Sequence, residues 1–104
     1  MNYRQQAIDR GIPFPTAYAL ENYIQRGTAP GAFLEAVVCN DYRRAYLEAD
    51  DRNQQILHHI MGYMLEVAPL TAWGDTVAFE YWTAKGGIDG LLADHGKKMK
   101  GVKS

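Results

Sequence analysis

Apolar residues along this chain recur at helical spacing, in stretches separated by Pro, Gly and Asp. Over 17–26, Ala17, Ala19, Leu20, Tyr23 and Ile24 share one arc of a 3.6-residue helix, while Glu21, Asn22 and Gln25 take the other. Tyr18 falls on the polar side and is expected to be an exposed aromatic. Pro15 or Thr16 starts this helix and Gly27 supplies a left-handed stop. Pro13 and Pro15 are expected to hold Ile12 and Phe14 extended, so that both pack onto the helix.

A second start follows, with Thr28 or Ala29 ahead of Pro30 at the first helical position. Phe33, Leu34, Val37 and Val38 form an i, i+1, i+4, i+5 stripe that a strand would split between two faces. Continued, that period puts Asp41, Tyr42, Ala45, Tyr46 and Ala49 on the same side, with a carboxylate in an apolar seam. Two arrangements resolve this. The first ends the helix at Asn40 and uses Asp41 to cap a shorter one over 42–49. The second keeps one helix and turns Asp41 into a cavity, where it needs a partner such as Arg44. The first is favoured.

Asp51 and Gln54 approximate a capping box ahead of the longest pattern, 52–67, with Ile56, Leu57, Ile60, Met61, Met64 and Leu65 on a wide arc. Pro69 ends it. Residues 70–74 connect to a helix over 76–85, capped by Asp75, stopped by Gly86-Gly87, and turning Val77, Ala78, Tyr81 and Trp82 inward with Phe79 at the margin. A short turn over 88–93 carries Leu91 and Leu92. The expected fold is all-α, a single small domain of four or five short helices with a central helix near 52–67. Its helical domain spans 12–94, between an irregular, loosely docked arm at 1–11 and a disordered basic tail at 95–104.

Charge changes this picture modestly. Four of the eleven basic residues and none of the twelve acids lie in 97–104, leaving seven against twelve in the body. An acidic body disfavours nucleic acid. No apolar run approaches the roughly 20 residues that cross a bilayer, and the start lacks a signal-peptide core. With the lone Cys39 unable to form an internal disulfide, a cytoplasmic location is expected.

Candidate chemistry is sparse. There is no phosphate-binding Gly loop, nucleophile elbow or H-E-x-x-H. His58 and His59 diverge by about 100° on a helix, and positions four on from the first and second hold Gly62 and Tyr63, so no metal and no cofactor are expected. Cys39 reads as structural. More informative is the grouping Tyr42-Arg43-Arg44-x-Tyr46, because Arg forks match phosphates and Tyr faces stack on bases. With Asn40 and Asp41 it makes a candidate ligand site. The ordinary account of the same residues is helix surface, with Arg44 pairing with Glu48 at i+4 and Arg43 in solvent. Tyr18 and Trp73 are candidates for an interaction surface, and seven Tyr and two Trp in so small a chain lead us to expect a homo-oligomer.

The run I-P-x-P-T-x-x-A-L-x-x-Y-I-x-x-G-x-x-P-G-x-F-L-x-A-V-x-x-N-D, from Ile12 to Asp41, resembles a group of small proteins encoded by bacteriophages and prophages. A looser match reaches Ala49-Asp50 and Trp73-Gly74. The resemblance implies a phage accessory protein in the cytosol of a bacterial host, of a kind that often counters host defences. It carries over no functional residues. The expected function is therefore a non-enzymatic one, sequestration of a small nucleotide-like signalling molecule. The alternative is an inhibitor or adaptor that occupies a host defence protein through an aromatic patch.

Overall fold

The computed structural model describes residues 2–94. Within them the chain is helical throughout, with α1 at Tyr3–Asp9, α2 at Phe14–Arg26, α3 at Ala32–Val38, α4 at Tyr42–Glu48, α5 at Asp51–Glu66 and α6 at Thr76–Lys85. A 3-10 turn at Leu70–Ala72 precedes α6, and a last helical stretch, α7, covers 87–94. The all-α class holds, with more helices than the expected four or five. The basic tail at 95–104 lies outside the described residues.

The largest correction is at the start. In place of the irregular arm expected over 1–11, the described residues 2–11 carry a helix: Asn2 caps α1, its Oδ1 accepting the Gln5 N–H at 2.9 Å. Tyr3 and Ala7, one turn apart, are buried together. The Tyr63 hydroxyl donates to the Tyr3 carbonyl at 3.1 Å, and Arg10 pairs with Glu66 at 2.9 Å, tying both ends of α1 to α5. Tyr3 and Ala7 provide the buried docking face, with half-buried Ile8 packed beside them. Gly11, at φ 88°, then turns the chain so that Ile12 enters the core.

α2 begins at Phe14, ahead of Pro15, because the first helical turn has no intrahelical partner for the missing proline N–H. Phe14 is thereby helical rather than extended. It is 56% exposed, stacked on Tyr18 with centroids 6.1 Å apart and covered by the Arg4 guanidinium. Ala17, Leu20, Tyr23 and Ile24 face inward as the wheel places them, and Gly27 closes the helix in the left-handed region. α3 starts two residues beyond Pro30, with Gly31 at φ 91° in the cap position.

In α5, Asp50 rather than Asp51 is the cap, accepting the Asn53 N–H at 2.8 Å. Leu57, Ile60, Tyr63 and Met64 are buried, Ile56 and Met61 pack beside them, and Leu65 stays exposed. Asp75 caps α6 and Gly86 ends it, both as expected. The inward face of α6 differs: Trp82 is buried and Phe79 stacks on Tyr23, while Val77 and Tyr81 face solvent. α6 is apolar on nearly every side, so periodicity leaves its rotation open. The indole settles it, since buried Trp82 places its Nε1–H 2.9 Å from the Tyr23 carbonyl. The Tyr23 hydroxyl in turn donates to the Ala72 carbonyl, fixing the 3-10 turn over α2. No helix among the described residues is long and apolar enough to cross a membrane.

Candidate functional site

The site anticipated at the α3–α4 junction begins with a turn whose chemistry is local. Asn40 sits at φ 60°, the one non-glycine residue at positive φ among the described residues. Its N–H bonds the Val37 carbonyl at 3.0 Å, and the Asp41 N–H bonds the Ala36 carbonyl at 2.9 Å. This is a Schellman stop with asparagine in the left-handed position. Asp41 then caps α4, its Oδ1 accepting the Arg44 N–H at 3.1 Å. The break-and-cap arrangement is therefore the correct one. Two polar residues stop one helix and start the next without an intervening loop.

Of the residues that the continued stripe places inward, α4 buries Ala45 and turns Tyr42 and Tyr46 to solvent. Tyr42 is 58% exposed, Tyr46 48% and Leu47 70%, and Arg43 is exposed beside them. At 100° per residue these four side chains occupy one continuous outward arc. The Gln54 amide fastens the far end of α4, donating to the Tyr46 carbonyl at 3.1 Å and the Ala49 carbonyl at 3.4 Å.

Arg44 leaves the arc. Its guanidinium lies 2.6 Å from Glu35 on α3, not against Glu48 as the i+4 spacing anticipates. The Schellman turn brings α3 back alongside α4, so Glu35 reaches the cation from outside the helix. That hydrogen bond holds Arg44 still more firmly protonated than usual. Of the six candidate ligand residues, Tyr42, Arg43 and Tyr46 present free surface. Asn40 and Asp41 are exposed as well, with the Asn40 N–H used in the turn and Asp41 Oδ1 in the cap, and Arg44 is half-buried in the ion pair.

Shallow concavities flank α4. One, of about 320 Å³, is lined by Asp41, Arg43, Arg44, Leu47 and Glu48; the other, of about 290 Å³, by Tyr46, Asp51, Gln54 and Gln55. Both open broadly to solvent, whereas small-molecule sites bury most of their ligand. Leu47 is the member that sequence reasoning missed. Its place shows only in the structure, where α4 buries Ala45 and leaves Leu47 exposed beside Tyr46.

The remaining candidates disperse. Tyr18 lies on an exposed patch with Phe14 and Arg4. Trp73 is half-buried against the core, its indole nitrogen buried without a hydrogen-bond partner, so it borders the core instead of forming an exposed surface. Cys39 is half-buried beside Thr76; burial pushes its thiol pKa up, outweighing the Thr76 hydrogen bond that acts the other way. His58 and His59 are exposed with ring centroids 4.0 Å apart. No group of three or more His, Cys, Asp or Glu among the described residues is placed to hold a metal ion. Compared with family models, curated proteins and solved structures, the chain matches none.

Proposed function

We propose that this chain is a non-enzymatic binding protein that docks on another protein through the outward arc of α4. The observation that carries this reading is the arc itself: Tyr42, Arg43, Tyr46 and Leu47 are all exposed on a helix that buries only Ala45. Tyr and Arg are the residues in which interface hot spots are enriched. A helix capped at Asp41 and fastened by Gln54 presents them on a preformed backbone, so only their side chains must be ordered at binding. The resemblance of Ile12–Asp41 to phage-encoded proteins favours a host defence protein in the bacterial cytosol as the partner. The test is affinity capture from host lysate with the parent chain and with a Tyr42→Ala/Tyr46→Ala variant. We expect a stoichiometric protein partner whose affinity falls by roughly 30-fold or more in the variant, about 2 kcal/mol. Undiminished capture by the folded variant refutes this reading.

One observation favours a second reading, in which the ligand is a small nucleotide-like molecule. Arg43 makes no ion pair among the described residues and lines the larger of the two concavities beside α4. A thermal-shift series with cyclic nucleotides and ADP-ribose at about 100 μM tests it, because a tight ligand then stabilises by several kcal/mol. No shift removes this reading and leaves the protein-docking one standing.

A further inference from the structure

α6 is built like a helix covered on two sides. Its inward face carries Phe79 and Trp82. Its outward face carries Val77, Tyr81 and Ala84 at i, i+4 and i+7, a second apolar stripe with no charged residue in it. Val77 is 72% exposed and Tyr81 45%. α5, by contrast, turns a mainly polar face outward. The 3-10 turn that packs against α6 adds exposed Leu70. A helix apolar on nearly every side is ordinarily buried on every side.

The charges beside the stripe identify what covers it. Glu80 flanks it on one side and Lys85 on the other, five residues apart. In a parallel helix pair, residues at that spacing on opposite flanks meet across the seam, so that each acid faces the base of the other helix. We propose that a second copy of this chain docks along α6 in parallel, about a two-fold axis, with Val77, Tyr81 and Ala84 at the seam. Glu80 of each copy then faces Lys85 of the other, twice per dimer. An antiparallel pairing puts both Glu80 on one flank of the seam and both Lys85 on the other, so no acid meets a base and the charges do not support it. Within one chain Lys85 lies 3.7 Å from Asp94 and 6.0 Å from the Tyr81 ring centroid. The Asp94 pair is half-exposed on both sides, and an exposed pair of this kind competes feebly. Ten residues of helix extend only about 15 Å, so the contact is smaller than a standard interface and the dimer is a concentration-dependent one. It displays two α4 faces, which raises avidity for any repeated or dimeric partner.

Sedimentation velocity from about 1 μM to about 1 mM protein is the measurement. The parent chain is expected to pass from monomer to dimer across this range. Tyr81→Glu is expected to weaken the dimer at least tenfold while keeping the parent's helix content, and Leu65→Glu, the same change at an exposed residue of α5, is expected to leave it unaltered. Should Tyr81→Glu fail to fold, Val77→Gln reads the same contact. Glu80→Lys alone and Lys85→Glu alone each weaken association about tenfold, by turning two attractions into two repulsions. Their equimolar mixture recovers it as a heterodimer. A monomer at every concentration overturns the proposal, as does a dimer indifferent to Tyr81→Glu. A Glu80→Lys variant that associates as well as the parent overturns the parallel register.

Discussion

Backbone meets backbone closely where the end of α2 meets the turn between α6 and α7, and the contact gives a sharp stability prediction. Gly27 and Gly87 both have positive φ, 71° and 65°. A Cβ built on Gly87 sits 2.6 Å from the Gly27 nitrogen, 2.7 Å from the Ile24 carbonyl oxygen and 2.8 Å from the Arg26 nitrogen. All three are backbone atoms, so no side chain can swing aside. Gly87→Ala therefore carries two costs. Left-handed backbone costs a non-glycine residue about 1–2 kcal/mol, and forced separation of packed elements adds about 1–3 kcal/mol. The sum, about 2–5 kcal/mol, is a large share of the roughly 5–15 kcal/mol that holds a domain folded. Gly11 isolates the first cost: it too has positive φ, 88°, but a Cβ there meets nothing within 4 Å. Gly11→Ala should cost only about 1–2 kcal/mol. Urea denaturation followed by tryptophan fluorescence reports both, since Trp82 bonds the Tyr23 carbonyl one turn before Gly27. If the two variants lose the same stability within about 0.5 kcal/mol, the α2 terminus and the α6–α7 turn are not in the contact described.

Three other outcomes are expected. Burial raises the pKa of the Tyr23 and Tyr63 phenols well above their usual 10.0. Their contribution is complete below pH 10 and is lost as pH climbs from there toward the folded values, because the unfolded chain gives up its phenolic protons first. Stability should fall by at most about 1.4 kcal/mol per pH unit for each tyrosine, and Tyr63→Phe, measured by urea midpoints from pH 9 upward to about 11.5, should make the decline shallower. The raised Cys39 pKa leaves less thiolate at pH 8 than an ordinary cysteine has, so alkylation by iodoacetamide should be several-fold slower than in the urea-unfolded chain; equal rates would contradict its placement beside Thr76. Asp41→Ala and Asp75→Ala each remove an N-cap and should cost about 1 kcal/mol in thermal or urea unfolding, whereas Asn in either place, still able to cap, should recover most of it.

Much of this fold is legible from local chemistry. The stop at Gly27, the cap at Asp75, the left-handed Gly86 and the Asn40-Asp41 junction follow from rules spanning four or five residues, and the inward faces of α2 and α5 follow from clear periodicity. α1 is hard to read because its buried residues are Tyr3 and Ala7, with Ile8 as its one large aliphatic. Periodicity cannot place Val77 and Tyr81, because α6 is apolar on nearly every side and has no phase to read.

The candidate site divides in the same way. That the pattern breaks at Asn40-Asp41, and that a Tyr/Arg group follows, is written in the sequence. Which of those side chains are free is not. Arg44 is drawn to Glu35, nine positions earlier and on another helix, and Tyr42 and Tyr46 face outward while Ala45, from the same expected stripe, is buried. Helix stops, starts and clear apolar stripes depend on neighbours within a turn or two, so the sequence by itself determines them. The rotation of α6, the docking of α1 and the set of exposed residues on α4 depend on partners brought together by packing. Tyr63 on Tyr3, Trp82 on Tyr23 and Arg44 on Glu35 set them, and only the tertiary structure decides such pairs, because each requires a buried or shared polar group to find its mate across the fold.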